Sequence, residues 1–169
     1  VDEIGGRVTG SAQNLRAVEW GMQKFRQMGV SATREAFTMP DLWLERSAAA
    51  RIEGEGIVFT PTVAAMPWSA GTPRAGMRAA LLDAGNGSDA DFARLGSAAK
   101  GAFVLVATEE LKDVDGLFRE YSLFAEVERR AAAAQVGGLV YMGSRPRDIL
   151  YRHNVNIAVS YTHLTLPTN

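Results

Sequence analysis

An apolar strand, a segment of helical periodicity and a second apolar strand follow one another between residues 101 and 143. "GAFVLVA" (101–107) predicts a strand over Ala102–Ala107, and "GGLVYMG" (137–143) predicts another. Between them, apolar side chains recur at helical spacing, at Leu117, Tyr121, Phe124, Val127 and Ala131. A helix followed by a glycine-led apolar strand is typical of α/β proteins. We therefore interpret residues 48–157 as one compact mixed α/β domain.

The first part of this domain consists of short apolar runs separated by glycine and proline. Because these two residues favour turns, we predict short strands at Ile57–Thr60 and Met77–Asp83. "SDADFARLG" (88–96) predicts a short helix with Ser88 as its N-cap and Asp91 at the third helical position. The predicted domain thus also contains a capped helix between two of its strands.

The N-terminal stretch "TGSAQNLRAVEWGMQKFRQMGV" (9–30) predicts a longer helix that Ser11 caps and Gly29 ends. Its apolar stripe is Leu15, Val18, Met22 and Phe25. If this helix normally packs on a sheet that this chain lacks, we expect the stripe to be partly exposed. From Val30 to Met39 the period shortens toward two, which predicts a strand that Pro40 ends.

The composition excludes several functional classes. With 47% hydrophobic and 22% charged residues the chain is typical of globular proteins, and no apolar run is long enough to span a bilayer. A net charge of −1 with scattered arginines predicts no nucleic-acid partner. The absence of cysteine excludes disulfides and thiolate metal sites. Because the first residue is Val1 rather than methionine, we expect an artificial N-terminal boundary.

Metal ligands are scarce in this sequence. The chain has two histidines, His153 and His163, and neither lies in an H-x-x-x-H, H-E-x-x-H or H-x-D arrangement. "DAGNGSDAD" (83–91) superficially resembles a calcium loop, but its aspartates do not fall on the alternate positions that such a loop uses. We interpret it as a turn followed by a helix cap. We interpret His153 as a surface or hydrogen-bonded structural residue.

Other binding motifs are equally incomplete. Gly85 and Gly87 lack the third glycine of a dinucleotide loop, and the chain has no G-x-S-x-G elbow. "SRPRD" (144–148) places Arg145 and Arg147 after a strand, where they would hold a carboxylate or phosphate or lie in an ordinary solvated loop, which we favour. The tryptophans Trp20, Trp43 and Trp68 are expected to serve packing. We therefore assign no catalytic, cofactor-binding or metal-binding residue.

Several longer stretches together resemble a known family. They are "EIGGRVTGS" (3–11), "EAFTMP" (35–40), "PWSAGTP" (67–73), "DADFARLGSAAKGAFVLV" (89–106), "RAAAAQVGGLVYMGSRP" (130–146) and "LYRHN" (150–154). In this order they resemble zinc exopeptidases of metallopeptidase family 28, in the branch similar to carboxypeptidase Q and bacterial aminopeptidases. The resemblance spans residues 2–157, with a departure at Gly6, where the family usually has proline. It implies that residues 1–47 begin the α/β catalytic domain and that residues 48–157 form the inserted protease-associated domain.

The resemblance also implies a function for a longer parent protein. That parent would be a secreted or periplasmic hydrolase that binds two zinc ions, acts on peptides and forms a homodimer. In the family, the zinc ligands and the general base follow the inserted domain, so no residue of this chain matches one. We therefore expect the chain alone to be inactive. Two alternatives stay open: a stand-alone interaction or substrate-gating module, and a nucleotide-binding α/β protein.

The C-terminal segment 158–169, "AVSYTHLTLPTN", differs from the rest because it contains no aspartate, glutamate, lysine or arginine. Val159–Thr168 can be encoded by GTC TCT TAT ACA CAT CTG ACG CTG CCG ACG, which resembles the adapter end of transposon-based sequencing libraries. We interpret residues 158–169 as adapter read-through rather than native sequence. The alternative is a genuine C-terminal β-strand that contains His163.

Overall fold

The computed structural model describes residues 3–145, 149–150 and 162–166. The chain forms two compact units, Val1–Leu44 and Glu45–Asn169. Neither unit has, in its described part, a helix that is both long and apolar enough to cross a membrane.

The first unit contains one helix, α1, which spans Ala12–Gln27. At its start the Asn14 N–H donates to the Ser11 hydroxyl, at 3.1 Å. At its end Gly29 adopts a φ of +76°, and the Val30 N–H donates to the Phe25 carbonyl at 2.9 Å. This bond and the bond from Gly29 to the Arg26 carbonyl form a Schellman motif. Both predicted caps are confirmed.

The apolar stripe of α1 is exposed, as expected. Leu15 is 58% exposed and Phe25 is 49% exposed, and within α1, whose residues are all described, no side chain is buried. The helix is therefore stabilised by its caps and by local contacts such as the hydrogen bond from Lys24 Nζ to Gln27 Oε1, at 3.3 Å, rather than by burial of its apolar face.

The strand predicted from Val30 to Met39 is wrong. Residues 28–51, all of which the structure describes, contain no strand. A strand exists only where a neighbouring strand accepts and donates its backbone hydrogen bonds. The alternating pattern at residues 30–39 has no such neighbour among the described residues, so it does not form a ladder.

The second unit opens with a hairpin. Strands β1 (Ile52–Gly54) and β2 (Ile57–Phe59) pair antiparallel, with Ile52 opposite Phe59. The two loop residues have positive φ, 46° at Glu55 and 81° at Gly56, as a type I′ turn requires. The strand predicted at Ile57–Thr60 is confirmed apart from its last residue, and β1 completes a hairpin that the sequence pattern did not specify.

A five-stranded sheet forms the centre of the second unit. Its members are β3 (Ala64–Ala65), β4 (Leu81–Asp83), β5 (Phe103–Val106), β6 (Gly138–Met142) and β7 (Thr162–Leu166), in the spatial order β3-β7-β6-β5-β4. Strands β4 to β7 are parallel, and β3 is antiparallel to β7. The predicted strands at 102–107 and 137–143 are confirmed, whereas only the last three residues of the predicted strand at 77–83 lie in the sheet.

Two helices connect the parallel strands. Helix α2 (Asp89–Leu95) begins with the predicted capping box between Ser88 and Asp91, and a 3₁₀ turn over Gly96–Ala99 follows it. Helix α3 (Val114–Ala133) begins three residues before the first apolar position of its predicted stripe and is capped by Asp113. The observed βαβ succession confirms the predicted α/β fold class.

The hydrophobic core lies between this sheet and its two helices. Val104 and Leu139 are opposite each other on β5 and β6, and both are fully buried. They belong to one cluster with Val127 of α3 and Phe92 of α2. The rings of Phe124 and Tyr141 lie 4.0 Å apart between centroids. Both helices therefore cover the same face of the sheet, and a different set of side chains faces the opposite side.

Strand β7 falls inside the segment that we interpret as adapter-derived. Its backbone pairs in parallel with β6, from Gly138 opposite Thr162 to Met142 opposite Leu166, and antiparallel with β3. A strand in this place agrees with the alternative given above. The adapter interpretation concerns the origin of the residues, which a fold does not test, and it stays a prediction.

Candidate functional site

The carboxyl ends of parallel strands are where α/β proteins most often bind ligands. In this sheet the loops after β4, β5 and β6 meet there, and a recess of about 530 Å³ opens beside the first turns of α3. Two polar groups at this recess bond to the protein itself. The Thr108 hydroxyl donates to the Met142 carbonyl at 2.5 Å, and the Asp113 carboxylate accepts from the Gly116 N–H at 2.6 Å.

Arg145 lies at this end of the sheet but not in a solvated loop, so our favoured interpretation of this residue is wrong. Its side chain is largely buried, and a guanidinium nitrogen lies 3.6 Å from the carboxylate of the buried residue Glu120. The same nitrogen donates to the Ser144 hydroxyl at 2.6 Å. Arg145 therefore engages a carboxylate of its own chain, whereas Arg147 lies outside the described residues.

The aspartates of "DAGNGSDAD" serve as turn and helix caps. The Asp91 carboxylate accepts from the Ser88 N–H at 3.1 Å and the Ser88 hydroxyl at 2.6 Å, and this hydrogen bonding lowers the pKa of Asp91. Asp89 binds Arg130 in bidentate fashion, at 2.5 and 3.1 Å, which lowers the pKa of Asp89. Asp83 accepts from the Gly85 N–H at 2.8 Å. The turn-and-cap interpretation is confirmed.

The zinc ions that the resemblance implies do not fit the described residues. Zinc sites need three or four converging nitrogen, oxygen or sulfur donors. Within residues 3–145 and the other described positions, no group of three or more histidine, aspartate or glutamate side chains is placed to hold a metal ion. His153 lies outside the described residues, and His163 is described only by its backbone position in β7.

A second concave site lies on the sheet face opposite the helices, and it involves only the second unit. It is a cleft of about 530 Å³ whose floor includes Leu81 of β4, Phe103 of β5 and Val140 of β6. Leu81 pairs with Phe103 in register, and Val140 shares their face because side chains alternate along a strand. Residues 47–53, 69–72 and 76–80 contribute its walls.

The cleft has a small charged group at one wall. The Glu53 carboxylate accepts from Arg51 Nε at 2.6 Å and from Arg78 Nη2 at 3.1 Å. These three are the charged side chains among the described residues that line the cleft, so its lining carries a formal charge of +1. No local sequence pattern marks this site, because its residues come from several separated segments. Only their shared position on the sheet brings them together.

One titratable group in the core has a displaced pKa. Glu128 on α3 is 3% exposed, and desolvation by burial raises its pKa from 4.5 to about 7. This residue lies in the middle of the helix that packs on β5 and β6, away from both concave sites. It therefore concerns stability rather than a binding site.

Comparison with solved structures identifies proteins of similar fold. The chain is similar to BSAP, a zinc aminopeptidase from Bacillus subtilis, with a TM-score of 0.68, 21% identity and coverage of 98% of this chain. It is similar to a peptidase M28 precursor from Shewanella amazonensis, with a TM-score of 0.71, 18% identity and the same coverage. An aminopeptidase from Aneurinibacillus sp. strain AM-1 matches with a TM-score of 0.52, 20% identity and coverage of 96%.

The similarity concerns only part of those proteins. This chain spans 36% of the Bacillus subtilis enzyme, 39% of the Shewanella precursor and 35% of the Aneurinibacillus enzyme. No protein-family model and no curated protein matches the chain. The resemblance predicted from the sequence motifs is confirmed at the level of the fold, since the structural neighbours are zinc aminopeptidases and an M28 peptidase.

Proposed function

We propose that this chain is the N-terminal part of a zinc-dependent exopeptidase of metallopeptidase family 28. Residues 1–47 would begin the catalytic domain, and residues 48–157 would form the inserted protease-associated domain. The observation that carries this proposal is the fold similarity, which covers 98% of this chain in two neighbours and only 36–39% of the neighbours. The ordered sequence motifs described in the sequence analysis support it independently.

In this proposal the chain supplies structure and not catalytic groups. Zinc in an exopeptidase polarises the scissile carbonyl and activates water. The described residues lack a matching donor set, so we assign none of them to that chemistry. The parent would bind its two zinc ions through residues outside this chain and hydrolyse peptides. Its export and a homodimeric state are proposed from the resemblance alone.

Activity measurements test this proposal. We expect the parent, expressed from its uninterrupted gene, to hydrolyse an aminoacyl p-nitroanilide or an unblocked dipeptide, and to lose that activity when zinc is chelated. We expect the 169-residue chain to give no turnover with added Zn²⁺. Turnover by the 169-residue chain, or a parent that hydrolyses none of these substrates, would contradict the proposal.

A second candidate is a stand-alone interaction or substrate-gating module. The cleft on the open sheet face favours it, because a site of about 530 Å³ within the second unit requires nothing from a catalytic domain. The source gene distinguishes the two candidates. A stop codon directly after codon 157 supports the module, and an open frame encoding H-x-D and further histidine and carboxylate ligands supports the exopeptidase.

A further inference from the structure

We propose that the cleft formed by residues 47–53, 69–72 and 76–80 and by the open sheet face binds the C-terminal end of a short apolar peptide. The site would hold the apolar side chains against the sheet and the terminal carboxylate beside Arg51 and Arg78. This inference does not depend on the proposed peptidase activity, because every residue that it uses lies in the second unit.

The size and lining of the cleft suit a small ligand of mainly apolar character. Ligand sites commonly measure a few hundred Å³ and combine apolar walls with a few polar groups. Here Phe103 and Val140 form part of the floor, and Met77 and several alanines line the walls. A volume of about 530 Å³ accommodates two or three residues of an extended peptide.

The charges at the cleft favour one carboxylate. Two guanidinium groups share the single carboxylate of Glu53, through Arg51 Nε and one nitrogen of Arg78. A guanidinium has five N–H donors, so each arginine retains donors beyond those that Glu53 accepts. A formal charge of +1 is balanced by one monoanion such as a carboxylate, and it disfavours a cation.

The backbone beside the cleft favours a peptide over another organic acid. Strand β4 is the last strand of the sheet as described, with β5 as its one neighbour. The Phe103 N–H donates to the Ala80 carbonyl and the Ala84 N–H donates to the Leu105 carbonyl, so residues 80, 82 and 84 bond toward β5. The intervening residue Leu81 directs its backbone groups to the open edge, where an extended peptide supplies hydrogen-bonding partners.

Two further features define this edge. Arg94 donates to the Asp83 carbonyl at 2.9 Å and so occupies the far end of β4, which leaves the stretch nearer Met77 for a ligand. The wall at residues 69–72 follows a turn in which Trp68 has a φ of +68°. Bulky residues rarely adopt this conformation, and such strained positions concentrate at ligand-binding sites.

Calorimetric titration of the 169-residue chain tests the proposal with N-acetyl-Ala-Leu-Phe as the free acid and as the C-terminal amide. We expect the acid to bind at least about tenfold more tightly than the amide, because charge-assisted hydrogen bonds to a guanidinium are lost in the amide. The variants Arg51→Gln and Arg78→Gln should each weaken binding of the acid about tenfold and leave binding of the amide unchanged.

Two controls keep the test independent of folding. Arg74→Gln removes the same charge from an exposed position that does not line the cleft. This variant should bind the acid as tightly as the unsubstituted 169-residue chain does. Ala79→Trp places a large ring on the cleft wall and should abolish binding of both peptides while the circular dichroism spectrum is retained.

Each other outcome would overturn the proposal. Equal affinity for the acid and the amide would exclude the carboxylate site. Equal loss in Arg74→Gln and Arg78→Gln would indicate attraction by the overall charge. Unchanged binding in a folded Ala79→Trp variant would place the ligand elsewhere, and no binding of either peptide at millimolar concentration would exclude the site. Failure of the peptidase assays, with this pattern intact, would leave the cleft proposal standing.

Discussion

Gln135 follows the C-terminus of α3 with a φ of 54°, in the left-handed region that glycine favours. The Val136 N–H donates to the Ala131 carbonyl, so the helix closes as it would around a glycine. We expect Gln135→Gly to stabilise the protein by about 1 kcal/mol, because it removes the steric cost of a side chain in this conformation. Urea denaturation measures the change.

Gln135→Ala is the matched control, since alanine keeps the β-carbon and therefore the steric cost. Its free energy of unfolding should stay within about 0.5 kcal/mol of the original. Equal stabilisation by alanine and glycine would show that the conformation at residue 135 is not the cause.

The buried carboxyl group of Glu128 makes the stability of the protein depend on pH. Burial raises its pKa to about 7 in the folded state, above its usual 4.5. Between these values the folded state retains a proton that the unfolded state loses, so the contribution of Glu128 to stability falls as pH rises from about 4.5 to 7. We expect Glu128→Gln to match the original at pH 4 and to be more stable at pH 8, by on the order of 3 kcal/mol. Thermal unfolding across this range measures the difference.

Glu126→Gln provides the control for this titration. Glu126 is exposed, and its hydrogen bond with Arg129 lowers its pKa. Its contribution is therefore present above pH 4.5 and lost as pH falls through the lowered pKa, which is the opposite sign. If the difference in stability between Glu128→Gln and the original protein stayed constant from pH 4 to 8, the raised pKa of Glu128 would be contradicted.

At the scale of elements, the loop between β4 and α2 packs tightly on α3. A β-carbon at Gly87 would lie 2.5 Å from the Val127 side chain, which is fully buried, and Gly87 has a φ of 76°. We expect Gly87→Ala to destabilise the protein by about 3 kcal/mol, through overpacking and backbone strain together. Gly101→Ala separates the two causes, because Gly101 has a similar φ of 73° and open space around it.

Gly101→Ala should lower the free energy of unfolding by about 1 kcal/mol, because it introduces the backbone strain of a positive φ without overpacking. Chemical denaturation of the two variants gives both values. Equal losses would show that the contact between this loop and α3 is looser than the structure has it.

The elements that sequence analysis predicted correctly are those with local signals. Ser11 and Gly29 bound α1, and Ser88 and Asp91 form the capping box of α2. The last three positions of the predicted apolar period of α3 lie on its buried face. Strands β5 and β6 were predictable because they read as continuous apolar runs, although only β6 is buried on both faces and alternate residues of β5 are partly exposed.

The elements that sequence analysis missed depend on partners far along the chain. The pattern at residues 30–39 resembles a strand, but the structure gives it no neighbour among the described residues. The two-residue strand β3 exists only because β7 pairs with it. The cleft combines residues from 47 to 140, and no local pattern brings Arg51 and Arg78 to one carboxylate.

At the scale of the whole molecule, the chain combines a helix with an exposed apolar stripe and a mixed α/β unit with a packed core. The fold similarity to zinc aminopeptidases covers both units, since it extends over 98% of the chain. This similarity supports the proposal made above, in which the chain would be part of a peptidase and the metal ligands would lie elsewhere in the parent. The protein should therefore retain its fold when metal is removed.

Metal content is the measurement that tests this account most directly. Elemental analysis of the parent and of the 169-residue chain, each dialysed against micromolar zinc and then against buffer, gives the zinc bound per chain. We predict two zinc ions per chain in the parent and none in the 169-residue chain. A zinc-free parent, or stoichiometric zinc retained by the 169-residue chain, would contradict the account.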